Sequence, residues 1–174
     1  YLVYFKSLKN KSHDADVVCL TNSLKPEYEA KISALGCRVK HVSSDFPCEW
    51  VLRDRWLHFW NFLTARADWY DCVLICDSRD VLVQGDPFRF LRCSSKNLIV
   101  TSEGFNHIDS SWNMIEQLEA QKPLGDFNRT YVNWPVVNGG VVLGRNSCLR
   151  NFCFLMWSTV LRNKAMCTDQ GVLN

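Results

Sequence analysis

Two stretches repeat apolar residues at helical spacing. Over Leu52–Ala67 the stripe is Leu52, Trp56, Phe59, Trp60 and Leu63; over Cys148–Arg162 it is Leu149, Phe152, Cys153, Met156 and Val160. Both spacings predict helices laid on a sheet. Leu2, Phe5 and Leu8 form a shorter stripe. Pro26–Leu35 reads as a helix with Pro in its first turn and Gly36 placed for a left-handed C-terminal residue. Asp86-Pro87 opens a further short helix, and Ser111–Gln121 is another, carrying Trp112, Ile115 and Leu118.

Strands are expected between these helices. Asp16–Thr21 and Asn97–Thr101 are short β-branched runs, and Cys37–Val42 alternates apolar and polar as an edge or half-covered strand does. Asp71–Cys76 is apolar throughout, the pattern of a central strand buried on both faces. Val136–Leu143 is β-branched but interrupted by Gly139 and Gly140. Alternation of strands and helices predicts an α/β sheet covered on both faces, and no repeat or Gly/Pro-rich linker divides it, so a single domain is expected.

Composition narrows the class. The chain has 174 residues, is 47% apolar and 22% charged, and carries a formal net charge of +2, which excludes wholesale disorder and the basic footprint of a generic nucleic-acid binder. No apolar run approaches the roughly 20 residues of a membrane-spanning helix, and no cleavable signal sequence opens the chain. It begins at Tyr1 and is expected to be a piece of a longer polypeptide. Its nine cysteines cannot all pair within one chain. Cys72 and Cys76, roughly 13 Å apart in a strand at ~3.3 Å per residue, cannot bridge each other. Without a CxxC or a zinc-like Cys/His cluster, most are expected to serve as small core residues. The acceptor triplets Asn10-Lys-Ser12 and Asn128-Arg-Thr130 tilt the compartment slightly towards the secretory lumen (Golgi or endoplasmic reticulum), with the cytoplasm left open.

Three segments carry candidate chemistry. In open α/β sheets ligands bind beyond the carboxyl ends of the strands, and Asp71–Cys76 ends in Asp77-Ser78-Arg79-Asp80. Asp77 and Asp80 at that point suit a hard divalent cation, Mn²⁺ or Mg²⁺, held by carboxylates and phosphate oxygens. The bland alternative has Asp77 capping a turn and Asp80 pairing with Arg79. Asn138-Gly139-Gly140, inside a strand, marks either a bulge or a close approach of ligand to backbone. Thr168-Asp169-Gln170 fits a helix cap or a site segment.

The ordered set YDCVLICDSRDVLVQGDPF, VNGGVVLG and TDQGVLN resembles the GT-A-fold glycosyltransferases. It is most similar to the metal-dependent enzymes related to glycogenin and the lipopolysaccharide galactosyltransferases. The resemblance spans Arg53–Asn174. It implies a GT-A, Rossmann-like mixed sheet, mostly parallel, with helices on both faces and with its first strand and its histidine metal ligand outside the chain. It implies transfer of a sugar from a nucleotide-sugar donor to a hydroxyl of a glycan or other acceptor, with retention of configuration and with a bound Mn²⁺ or Mg²⁺. Asp80 would be the second aspartate of the DxD motif. The first falls on Ser78 at strict spacing or on Asp77 with one insertion.

By the same resemblance Asn138 and Gly139 would face the transferred sugar or acceptor, with Gly140 beside them among the donor-binding residues, and Asp169 and Gln170 would lie near the sugar's anomeric carbon. Arg55, or Arg53, would bind the donor beside Ser78 and Arg79, with snorkelling over the core as the competing account. An inverting reaction would need a base, for which Glu103 and Asp169 are the candidates. The isolated piece is expected to be poorly active. Two rivals stand beside this reading: a non-catalytic glycan- or protein-binding module on a degenerate transferase scaffold, and a phosphotransferase of the haloacid dehalogenase kind suggested by CDSRDV. Phe105, Trp112, Tyr131 and Trp134 suit either a sugar-stacking platform or core packing.

Overall fold

The structure is a computed structural model that describes residues 2–12, 14–43, 51–111, 133–162 and 169–173. In chain order the elements are α1 (Leu2–Lys11), β1 (Val18–Thr21), α2 (Pro26–Ser33), β2 (Arg38–His41), α3 (Val51–Thr64), β3 (Cys72–Cys76), α4 (Phe88–Cys93), β4 (Leu98–Asn106), β5 (Pro135–Arg145), α5 (Asn146–Arg162) and α6 (Asp169–Leu173). The fold is mixed α/β. The helix expected over Ser111–Gln121 lies almost wholly outside the described residues.

Local signals act as expected. Gly36 closes α2 at φ 72°, a conformation that costs glycine little. Asp86 Oδ1 accepts the Phe88 backbone N–H at 3.0 Å, so the Asp-Pro pair does start α4.

The sheet departs from expectation. β1 and β2 pair in parallel, Val18 opposite Arg38 through Thr21 opposite His41. The larger sheet has the order β3-β5-β4, and both of its pairings are antiparallel. A mostly parallel sheet centred on Asp71–Cys76 is therefore corrected: among the described residues β3 pairs on one side only, and β5 is central. The physical reason lies in burial. β5 holds Val142 at 0% and Leu143 at 5% exposure, whereas in β3 only Ile75 is fully buried. A continuous apolar run reports covered faces, and says nothing of strand direction or neighbours.

β5 also carries the irregularity its glycines suggested. Val100 stands opposite Val142 but Thr101 stands opposite Asn138, so Gly139, Gly140 and Val141 have no counterpart on β4. The Asn138 side chain closes this bulge, its Oδ1 accepting the Gly140 N–H at 2.7 Å.

Two cores hold these parts. α3 and α5 cover one face of the larger sheet, with Trp56, Leu63, Leu149, Cys153 and Met156 packed on Ile75 and Val142. Trp56 meets Phe59 and Phe152 edge to face at 5.9 and 5.4 Å. The second core joins Tyr4, Phe5 and Leu8 of α1 to Val17, Ile32 and Cys37, with Cys76, Val81 and Val83 against it. The segment after β3 thus packs on the second core. Cys37 and Cys153 are core residues, as expected for most cysteines, while Cys93 is exposed; all seven described cysteines are free thiols.

Candidate functional site

β3 delivers Asp77 to the end of the sheet. Its backbone N–H donates to the Gly140 carbonyl at 2.7 Å, so the strand's last pairing is made to the β5 bulge itself. Gly140 must be glycine for a steric reason: a Cβ there would lie 2.7 Å from Asp77 Oδ2 and 3.1 Å from Asn138 Oδ1. Gly140 thus makes room for the Asp77 carboxylate.

Behind Asp77 stands Arg55 of α3, its side chain only 16% exposed. Its Nε donates to Asp169 Oδ2 at 2.6 Å, Nη1 to Asp77 Oδ1 at 3.0 Å and Nη2 to the Gly139 carbonyl at 3.2 Å. Snorkelling alone does not describe it; the guanidinium ties α3, β3, β5 and α6 at one point. Asp169 is 3% exposed and takes a further bond from the fully buried Trp56, whose Nε1–H donates to Oδ2 at 2.8 Å. A buried carboxylate is tolerable because it is paired and hydrogen-bonded.

In front, Asp77 and Asp80 open on a cleft of about 260 Å³, lined also by Thr101, Ser102, Asn138 and Gly140. The Asp77 side chain is 51% exposed and Asp80 is exposed. Glu103 joins from β4, accepting from Asn138 Nδ2 at 3.2 Å. Partial burial raises the Asp77 carboxyl above the usual carboxylate range; Arg55 pulls it down, and the charges of Asp169 and Asp80 push it up. A divalent cation at this position would act in the opposite direction and favour the ionised form.

The donor set is two hard carboxylates, one half-open and one open, beside the hydroxyls of Thr101 and Ser102. That fits Mn²⁺ or Mg²⁺ completed by phosphate oxygens and water. Among the described residues no cluster of three or more His, Cys, Asp or Glu is placed to hold a metal ion by protein ligands alone.

The structure brings Asp77, Asp80, Arg55, Asn138, Gly139, Gly140, Glu103 and Asp169 into one neighbourhood. Ser78 and Arg79 are not on the cleft; with Asp77 and Asp80 they line a larger cavity. Gln170 falls in α6 with its side chain outside the described set, and Arg53's side chain is outside it as well. Of the aromatic residues named as a platform, Phe105 and Trp134 are exposed, and Trp112 and Tyr131 lie outside the described residues. Sequence reading missed Trp56, which looks like pure core from its helical spacing, and missed Thr101 and Ser102. The alternation of β4 past Val100 held the only hint of the latter pair.

No family model matches the chain, and no curated protein matches it either. The case for function therefore rests on the residues.

Proposed function

We propose that the chain carries the donor site of a metal-dependent glycosyltransferase, one that moves a sugar from a nucleotide-sugar donor to a hydroxyl acceptor. The observation that carries this reading is the junction of Asp77 and Asp80 with the β5 bulge: two acidic side chains at the carboxyl end of a strand, on a cleft lined also by Asn138 and Gly140. The ordered resemblance of the same three segments to GT-A-fold enzymes supports it.

Asp77 and Asp80 would hold Mn²⁺ or Mg²⁺; Ser78 and Arg79, which line the larger cavity and not this cleft, are left out of that grip. When bound, the cation supplies Lewis-acid stabilisation of the charge that develops on a departing diphosphate. The protein's own part is positioning. Arg55 fixes the Asp77 carboxylate from behind and adds positive charge to an anion-binding site. Asp169 and Trp56 fix Arg55 in turn, which makes them positioning residues. The Asn138 amide and the Gly139-Gly140 backbone offer polar contacts to a sugar, and Glu103 holds Asn138 in orientation; Gln170 follows Asp169 at the same end of the sheet. A retaining transfer needs no strong general base from this set. In an inverting one, Glu103, half-buried and bonded to Asn138 of the cleft, is more open to take a proton than Asp169, which is sealed under Arg55 and Trp56.

One observation favours the rival reading of a non-catalytic module: Arg55 already neutralises Asp77, as a purely structural ion pair would. The readings part in a donor-hydrolysis or transfer assay with manganese on the full polypeptide. Turnover lost in Asp80→Asn, a residue outside the Arg55 network, supports the transferase; saturable glycan binding with no turnover supports the module.

A further inference from the structure

Helix α5 carries more apolar surface than the sheet beneath it uses. Leu149, Cys153, Met156 and Val160 are all buried, the first three against Ile75 and Val142 of the sheet. One position further on runs a second row with the same spacing: Arg150, Phe154, Trp157 and Leu161. A single step along an α-helix is a turn of about 100°, so this row points away from the sheet. Phe154 and Leu161 are exposed, and Leu155, one step further round, is 61% exposed.

The second row is joined to α3. Trp60 stacks on Trp157 with centroids 6.1 Å apart and ring planes 10° apart, and it meets Phe154 at 5.3 Å. Phe154 and Trp157 are themselves 6.0 Å apart. Both tryptophans pack against the core and stay half-buried, so the three rings form a platform across two helices, extended by exposed leucines. A continuous apolar surface of this kind is an interaction face.

Charge and shape say what covers it. α5 holds Arg150 and Arg162 and no aspartate or glutamate. On α3 the single carboxylate is Asp54, which is buried, and the other ionisable residues are Arg53, Arg55 and His58. Among the described residues, the exposed surface of these two helices therefore bears no negative charge. None of the platform residues lines the cleft or the larger cavity, so neither recess offers a partner protein's anchor side chain a seat here. Acyl chains need no recess, and phospholipid headgroups supply the complementary negative charge. Trp, Phe and Leu beside Arg is the composition of a face that settles at the boundary between acyl chains and anionic headgroups. No described helix is long and apolar enough to cross a membrane, so the face would lie on the bilayer.

We infer that the face built from Trp60, Phe154 and Trp157, with Leu155 and Leu161, docks on an anionic lipid bilayer, its apolar groups among the upper acyl chains and the positive charge of α5 against the lipid phosphates. The inference uses neither the cleft nor the chemistry proposed for it.

The test is co-sedimentation of the protein with vesicles of phosphatidylcholine alone and of phosphatidylcholine mixed with phosphatidylserine. Expected is binding roughly tenfold or more tighter to the mixed vesicles, weakened by added salt. The double variant Leu155→Glu, Leu161→Glu changes two exposed side chains, so it should melt as the parent does and lose that binding. No binding to either vesicle overturns the inference, as does equal binding to both, or undiminished binding by a double variant with the parent's melting temperature. Should that variant melt lower, Arg150→Gln with Arg162→Gln decides: loss of the preference for mixed vesicles supports the docking face, and an unchanged preference refutes it. A dimer in sedimentation equilibrium that the leucine substitutions dissociate would assign the face to a second copy and overturn it too.

Discussion

Gly140 and Asp77 are so close that a methyl group on the glycine would sit 2.7 Å from the carboxylate oxygen Oδ2. The β5 bulge and the acidic strand end are therefore one device. Gly140→Ala is expected to push the Asp77 side chain aside or reopen the bulge, with destabilisation of roughly 1–3 kcal/mol as in other overpacked sites. Chemical denaturation reads the cost, and manganese response should fall with it. A stable variant with unchanged manganese response would show that the contact is incidental.

Arg55 is expected to be the most costly side chain of the cluster to remove. Arg55→Ala leaves Asp169 buried with Trp56 as its one side-chain donor among the described residues, and loss of one partner of a buried pair typically costs about 3–5 kcal/mol. Arg55→Lys should recover little, because a single ammonium cannot reach Asp169, Asp77 and the Gly139 carbonyl together. Equilibrium unfolding of both variants checks this.

Trp56→Phe separates the indole N–H from the ring. The edge-to-face packing with Phe59 and Phe152 is kept while the 2.8 Å bond to Asp169 is lost, so about 1–3 kcal/mol of stability should go with little change in the core. A far smaller loss would mean that Arg55 satisfies Asp169 alone.

Asp77 yields a prediction with a definite sign. Its carboxyl is raised in the folded chain, chiefly by burial. Between its unfolded and folded values the native state binds more protons than the unfolded one, so this group's contribution to stability falls as pH rises through that window. Ionised Asp77 is a cost at neutral pH that a cation would offset. Asp77→Asn should thus be at least as stable as the parent at pH 7, lose that advantage in acid, and lose manganese binding. Thermal melts between pH 3 and pH 7 with and without the metal test all three; a variant clearly less stable at pH 7 would contradict the sign.

The apolar stripes of α3 and α5, the Asp-Pro start of α4 and the Gly36 stop of α2 were all legible, because each depends on neighbours within a few positions. So was the suspicion attached to Asn138-Gly139-Gly140. Strand order was not. Whether Cys72–Cys76 sits at the centre or the edge of its sheet depends on where residues 135–145 return, and no local pattern records that. The site was half legible for the same reason. Arg55 flanking an apolar stripe looks like an ordinary surface arginine until α6, more than a hundred residues on, brings Asp169 under it. Trp56 was hidden in its own helical register, where a buried indole gives no sign that its N–H is employed.

The central claim is that Asp77 and Asp80 grip a divalent cation that binds a diphosphate. Its most direct test is the thermal stability of the protein and of Asp80→Asn with Mn²⁺ and UDP, separately and together. The account expects a rise with the two combined, up to about 2.7 kcal/mol when ligand is at 100 times its dissociation constant, and no rise in Asp80→Asn. An equal rise in both proteins, or none in either, would contradict it.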